Sequence, residues 1–244
     1  ISIRIYRSLT ELMGGVGIVF LLLAFFESKK SLNNLTNSTG MTNIGSNLKK
    51  MYLLVFATYS ACIGIFIVIF YALGFTNLVN TGTYVIDTLT GGFTAPAIQF
   101  DQYMNLAPKI FTIALMLFGA INFGFLYCLL TGKFKRTLSW EVIIFLLFII
   151  LGTVSISIIT NLSALDSLFH VVSLSSSVGY SYLPLTAFGE TGLSILTILM
   201  LIGGCTFSMA GGIRISRIIK FAQVTKNSIT SLLIKEQAIT KTTK

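Results

Sequence analysis

Charge is scarce in this sequence. Only 10% of its 244 residues are Asp, Glu, Lys or Arg, against about 25% in an average soluble domain. Proline occurs three times, and tryptophan and histidine once each. So little charge excludes an ordinary soluble enzyme and an intrinsically disordered chain, since both need polar surface. Cysteine is also rare. Cys62, Cys128 and Cys205 all sit in apolar stretches and match no metal-ligand spacing, which excludes a disulfide scaffold and a zinc module. They read as buried thiols.

What is abundant is apolar. Hydrophobic residues make up 54% of the chain, 20 of them phenylalanine, and mean hydropathy is +0.86. A helical crossing takes about 20 apolar residues. The class expected is therefore all-α and polytopic in a membrane. The chain starts at Ile1 rather than Met and reads as the inner portion of a longer polypeptide.

Five apolar stretches stand out. Residues 13–26 make a short, glycine-rich span, and 51–73, 110–130 and 140–159 make full ones. The last, 193–219, is interrupted by glycine pairs at Gly203, Gly204 and Gly211, Gly212. Residues 77–94 and 164–182 are too short and too polar to cross.

The net charge of +9 says less than where the charges lie. Lys29, Lys30, Lys49 and Lys50 precede the 51–73 span, Lys133, Lys135 and Arg136 precede the 140–159 span, and Arg214, Arg217, Lys220 and Lys226 close the last one. Residues 74–107 and 161–190 hold no Lys or Arg. The positive-inside rule then puts the basic segments in the cytoplasm and the two semi-polar segments outside, with Arg4 and Arg7 as exceptions.

A plan repeats. A basic linker, a span, a short helix-like segment, a glycine turn and a second span occur twice, the first spans starting 89 residues apart. The turns are Thr90-Gly91-Gly92-Phe93 and Ser177-Val178-Gly179-Tyr180. Both units enter from the same side, so the repeats are parallel. Non-helical backbone at membrane depth survives only where it lines a cavity or is buried in protein. Glycine permits the positive φ that turns successive carbonyls one way, and a ring of carbonyls can replace the water around a potassium ion. The short helix before each turn aims its partly negative C-terminal end at that point. Gly92 and Gly179 are expected to set the turns. Glycine turns alone are common; two in matching places between correctly oriented spans carry the reading.

Other residues are less telling. Asp87, Asp101, Asp166 and Glu190 read either as a cation-attracting vestibule or as solvated carboxylates. His170, four residues after Asp166, could pair with it on one helix face. The four glycines at 203–212 either allow close helix packing or unwind the span.

At these residues the chain resembles the Trk/Ktr/HKT-type potassium transporter family. Arg7-Ser8-Leu9-Thr10-Glu11-Leu12-Met13-Gly14-Gly15 is similar to the start of the second span of that family's first repeat, with Leu12 where the family has Trp. Thr90-Gly91-Gly92-Phe93-Thr94 and Ser176-Ser177-Val178-Gly179-Tyr180 resemble the second and third filters, and Asn122-Phe123 fits the span between them. Gly203-Gly204-Cys205-Thr206-Phe207-Ser208-Met209-Ala210-Gly211-Gly212-Ile213-Arg214 resembles the intramembrane gating loop, with Phe207 in place of a family glycine.

The resemblance implies potassium transport across the cell membrane, with Na⁺ as the alternative ion and symport as a coupled form. It implies ion contacts at Thr90, Gly91, Gly92, Ser177, Val178 and Gly179, and a gate at Gly203, Gly204, Thr206, Ser208, Gly211 and Gly212. It implies no cofactor and no nucleic acid. The expected partners are the lipid bilayer, a second copy in a homodimer and a cytosolic nucleotide-binding regulatory subunit. The divisions expected are 1–30 (second span of a first repeat), 31–50 (cytoplasmic linker), 51–132 and 133–222 (two repeats) and 223–244 (cytoplasmic linker or tail). Competing readings are a transporter of another solute, which predicts inverted repeats, a non-conducting subunit, and an intramembrane enzyme built on His170, Asp166 and Glu190.

Overall fold

The computed structural model describes residues 2–25, 48–92, 105–132 and 140–242. Phe93, Thr94 and Asp101, and the basic residues Lys29, Lys30, Lys133, Lys135 and Arg136, lie outside the described residues. The described elements are helical. They are α1 (Ser2–Phe25), α2 (Leu48–Ala72), α3 (Leu78–Thr90), α4 (Leu106–Ala120), α5 (Phe123–Leu130), α6 (Trp140–Thr160), α7 (Ala164–Ser175), a 3-10 turn (Leu185–Phe188), α8 (Gly189–Ile202) and α9 (Ile215–Thr242).

Among the described residues, two helices are long and apolar enough by themselves to cross a membrane, Tyr52–Ala72 and Trp140–Thr160. α6 shows how such a helix divides its surface. Val142, Phe145, Ile149, Gly152 and Ile156 are buried, while Leu147, Ile150, Leu151, Val154 and Ile158 are exposed. The helical period separates the two faces. The inner face packs on α7 and α8, and the outer, wholly apolar face is one that lipid tails can cover. A side chain at Gly152 would collide with Leu199 at 2.7 Å, so glycine sets the approach of α8 to α6.

The short helices α3 and α7 occupy matching positions. α3 packs against α1, α2 and α4, and α7 packs against α4, α6 and α8. Each thus touches the long helix before it, the helix after it and one helix from earlier in the chain. Each is started by a side-chain cap that satisfies an orphan N–H. The Asn77 carboxamide oxygen accepts from Asn80 N–H, and the Ser163 hydroxyl accepts from Asp166 N–H, both at 3.2 Å. Thirteen and twelve residues are too few to cross a bilayer.

The structure refines three expectations from the sequence. The first helix begins at Ser2 and carries the apolar stretch from residue 13 in its second half; Arg7 and Glu11 pair one turn apart in it, and Arg7 reaches Asp87 of α3. The 110–130 span is not continuous: it runs from Leu106 to Ala120, breaks at Ile121 and Asn122, and restarts at Phe123. The Asn122 side chain caps the restart by accepting from Gly124 N–H at 2.7 Å. Residues beyond 223, expected as a linker or tail, continue α9 as helix to Thr242.

Candidate functional site

The two glycine turns follow the C-termini of α3 and α7. In the first, the main-chain carbonyl of Asp87 accepts the N–H groups of both Gly91 and Gly92, the latter at 2.9 Å. In the second, the carbonyl of Ser173 accepts those of Val178 and Gly179, both at 3.0 Å. The left-handed backbone falls on Gly91 (φ 77) in one turn, and on Ser177 (φ 64) and Gly179 (φ 76) in the other. Gly179 therefore sets its turn. In the first turn that role belongs to Gly91, and Gly92 is glycine for another reason. A Cβ there would overlap the carboxylate of Glu11.

The turns meet. A Cβ at Gly91 would stand 3.4 Å from the Ser177 carbonyl oxygen and 3.8 Å from that of Ser176. Tyr180 locks them together: its hydroxyl bonds the Thr88 hydroxyl of α3 at 3.1 Å, and its ring stacks on Tyr84, centroids 6.0 Å apart. The Ser173 hydroxyl donates to the Tyr180 carbonyl at 2.7 Å, and Tyr84 in turn bonds Thr112 of α4 at 2.9 Å. Among the described residues, no hydrogen bond is donated to the carbonyls of Thr90, Gly91, Ser177 or Val178 outside the helices.

The break after α8 forms a folded loop, residues 203–214, against the break between α4 and α5. Cys205 N–H donates to the Ala120 carbonyl at 2.9 Å, Met209 N–H to that of Gly119 at 3.1 Å, and Phe123 N–H to that of Phe207 at 2.9 Å. Each break thereby satisfies backbone groups that the other leaves open, which lipid could not do. The glycine pairs form the neck of the loop. A Cβ on Gly212 would lie 2.7 Å from the Gly203 Cα, and Gly204 N–H donates to the Gly211 carbonyl at 3.4 Å. Phe207, where the family has glycine, keeps a left-handed φ of 58. Inside the loop Ser208 is fully buried and donates to the Cys205 carbonyl at 2.6 Å. The loop reaches the second turn directly, since Gly211 N–H donates to the Ser177 hydroxyl at 3.1 Å.

Three charged residues with structural partners escaped the sequence reading. Glu141, in the first turn of α6, accepts from both Thr206 N–H and the Thr206 hydroxyl. The Thr206 and Ser216 hydroxyls are also hydrogen-bonded. Lys109 of α4 is buried and pairs with Asp166 of α7. It also donates to the Tyr182 hydroxyl at 2.6 Å, and its ammonium lies 4.4 Å from the Tyr182 ring centre. Tyr182 donates to Asp166 at 2.5 Å. Burial pushes the Asp166 carboxyl up, but bonds from Lys109, Tyr182 and Ser163 and the Lys109 charge outweigh it and hold it at about 2. Burial, and then the bond to Asp166, push the Tyr182 hydroxyl up. Glu11 is the third.

The acidic residues weighed as a vestibule divide. Asp87 is fully buried, not solvated, and is held by Ser8 and Arg7. Asp166 is tied to Lys109, and Glu190 is exposed at the start of α8. His170 does not pair with Asp166. Its ring is enclosed by Phe169, Tyr182 and Phe188, and its Nε2 has no hydrogen-bond partner among the described residues. Among the described residues no group of three His, Cys, Asp or Glu side chains could hold a metal.

A family model described as a cation transport protein, TrkH, matches residues 138–242. An uncharacterised cation transporter of Methanocaldococcus jannaschii is 25% identical over 243 residues, covering 98% of this chain and 50% of that protein. The Trk system potassium uptake protein TrkH of Vibrio parahaemolyticus is 23% identical over 244 residues, covering 89% of this chain and 49% of that protein. The chain is thus similar to Trk-type cation transporters. The crystal structure of the potassium transporter TrkH from Vibrio parahaemolyticus shares the fold, with a TM-score of 0.71 at 18% identity over 95% of this chain and 50% of that one. The Trk-type family is one of membrane ion transporters rather than enzymes. The chain is all-α and polytopic, and it spans about half the length of the curated relatives it matches.

Proposed function

We propose that this chain carries two of the repeats lining a potassium pathway across the cell membrane. In this reading Thr90, Gly91, Gly92, Ser177, Val178 and Gly179 belong to a carbonyl selectivity filter, and the loop at 203–212 is its gate. The observation that supports it most is the meeting of three segments: the two glycine turns touch at Gly91 and Ser177, and the loop touches Ser177 through Gly211. A dehydrated K⁺ needs several oxygen ligands in place of water. Two helix C-termini converging with carbonyls open to a ligand are suited to supply them. The Gly211 N–H on the Ser177 hydroxyl brings a partial positive charge to the inner side of the turn, which suits a closed gate.

K⁺ is the proposed cargo, with Na⁺ as the alternative, carried down the membrane potential or in symport with Na⁺ or H⁺. The name of one relative specifies potassium uptake and that of the other only cations. The basic segments face the cytoplasm in this reading and the turns open outside. Residues 51–132 and 133–222 act as the two repeats. The working assembly is a homodimer with a cytosolic nucleotide-binding regulator.

Rubidium uptake by the polypeptide as its gene encodes it, in cells lacking their own potassium uptake, tests the proposal. Gly179→Ala strains a backbone at φ 76, and Gly92→Ala meets Glu11. Each is expected to abolish uptake or its preference for K⁺ over Na⁺. Wild-type uptake and selectivity in both variants would overturn the filter assignment.

A further inference from the structure

The first turn has a wall behind it that the second lacks. A side chain at Gly92 would run into the Glu11 carboxylate, whereas a Cβ at Gly179 would meet nothing within 4 Å. Glu11 comes from α1, the helix before the repeat. Its Oε1 pairs with Arg7 Nε at 3.4 Å. Arg7 Nη2 reaches Asp87 Oδ2, also at 3.4 Å, and the Ser8 hydroxyl donates to Asp87 Oδ1 at 2.5 Å. Asp87 thus holds α1 with its carboxylate and the turn with its main-chain carbonyl, which accepts from Gly91 and Gly92. Glu11 Oε2, the oxygen that a Cβ at Gly92 would overlap most deeply, is buried, and the Glu11 carboxyl has the Asp87 carboxyl as its neighbour; no N–H or hydroxyl among the described residues donates to Oε2. A buried carboxylate oxygen without a donor is costly in a low-dielectric wall, and a cation close by would offset that cost.

We propose that Glu11 is a specificity-determining residue of the filter. It backs the Gly92 turn by shape, which forces glycine at 92, and by charge, which favours a cation in front of it. The proposal rests on reading the two turns as a selectivity filter. It goes beyond that reading by assigning the geometry of one turn to a side chain from the preceding repeat.

The two components separate by substitution. Glu11→Gln keeps the shape, keeps an oxygen for Arg7 and removes the charge. Glu11→Ala removes both. Rubidium and sodium uptake are measured on the full-length protein at matched amounts in the membrane, with Gly179→Ala alongside. Glu11→Gln is expected to raise the KM for rubidium severalfold with little change in maximal rate. Glu11→Ala is expected to lower the rubidium-to-sodium ratio severalfold. Gly92→Ala is expected to be inactive alone and in Glu11→Gln, and to regain uptake in Glu11→Ala, where room for the methyl has been made. A merely structural ion pair would not give that pattern of rescue.

If Gly179→Ala alters selectivity while both Glu11 variants keep the wild-type KM and ratio and Gly92→Ala is not rescued, this inference falls and the filter stands. If Gly92→Ala and Gly179→Ala both transport as wild type, the filter reading falls, and this inference with it. Should Glu11→Ala fail to accumulate, the KM of Glu11→Gln decides: an unchanged value overturns the proposal.

Discussion

Glu141 holds Thr206 twice: its Oε1 accepts the Thr206 backbone N–H at 2.5 Å and the Thr206 hydroxyl at 2.6 Å. The contact joins the start of α6 to the loop that interrupts the next span, across 65 residues. The same loop touches Ser177 at its other end through Gly211. Glu141 is therefore placed to govern how firmly the loop is seated.

Removing that carboxylate should loosen the loop. Hydrogen bonds to a charged group contribute about 1.5–3 kcal/mol each. Glu141→Ala is expected to expose Cys205, which is fully buried in the loop. In a background with Cys62 and Cys128 replaced by serine, Cys205 should react with a maleimide far faster in Glu141→Ala than in the parent, with Glu141→Gln between them. Equal labelling rates would mean that the backbone bonds to Gly119 and Ala120 hold the loop without Glu141.

Lys109 and Asp166 join α4 to α7. Truncating either one leaves the other without its partner in a mostly buried place, whereas removing both leaves no stranded charge. Lys109→Met is expected to cost about 1–3 kcal/mol, and the double variant Lys109→Met with Asp166→Leu less than the sum of the two singles. Thermal unfolding of the four proteins in detergent gives the coupling. Strict additivity would show that the pair contributes nothing as a pair.

Asp166 should also respond to acid. Its pKa is held at about 2 against an ordinary value of 3.8. A carboxylate with a depressed folded-state pKa stabilises the fold above its unfolded value and loses that contribution as pH falls through the folded one. The thermal midpoint should therefore drop more steeply between about pH 4 and 2 in the parent than in Asp166→Asn. Parallel profiles would remove Asp166 from the acid response.

Gly119 is where α4 passes the end of α3. A Cβ there would overlap the Leu89 carbonyl oxygen, whereas one at Gly14 would meet nothing within 4 Å. Gly119→Ala is expected to destabilise by about 1–3 kcal/mol or to prevent accumulation, and Gly14→Ala to be tolerated. The obstruction is a carbonyl of the main chain, which cannot rotate away as a side chain can. Equal melting temperatures for the two variants would show that α3 can shift to make room.

The turns and their preceding helices were legible because each depends on residues close together in the chain. Asn77 and Ser163 cap helices within three residues of themselves, and a left-handed turn needs only a glycine such as Gly91 or Gly179 in place. Apolar length alone made the chain a polytopic membrane protein. The broken span at Ile121 was not legible, because continuous hydropathy cannot register a break whose open backbone groups are satisfied by Cys205 and Met209, more than eighty residues away. Asn122 before Phe123 was the one local sign, a helix cap inside an apolar run.

Lys109, Glu141 and Glu11 look in the sequence like isolated charges at the edges of apolar helices. Only the packing of α4 on α7 and of α6 against the 203–214 loop gives Lys109 and Glu141 partners 57 and 65 residues distant, and only that of α1 on α3 sets Glu11 against Gly92. The same packing decided which glycine serves which purpose: Gly91 its own backbone, Gly92 the carboxylate of Glu11. Hydropathy, caps and turns are local properties of the chain and specify what each segment becomes. Where an unmatched charge or carbonyl finds its partner depends on which helices end up side by side, and that is decided only when the whole apolar surface is packed.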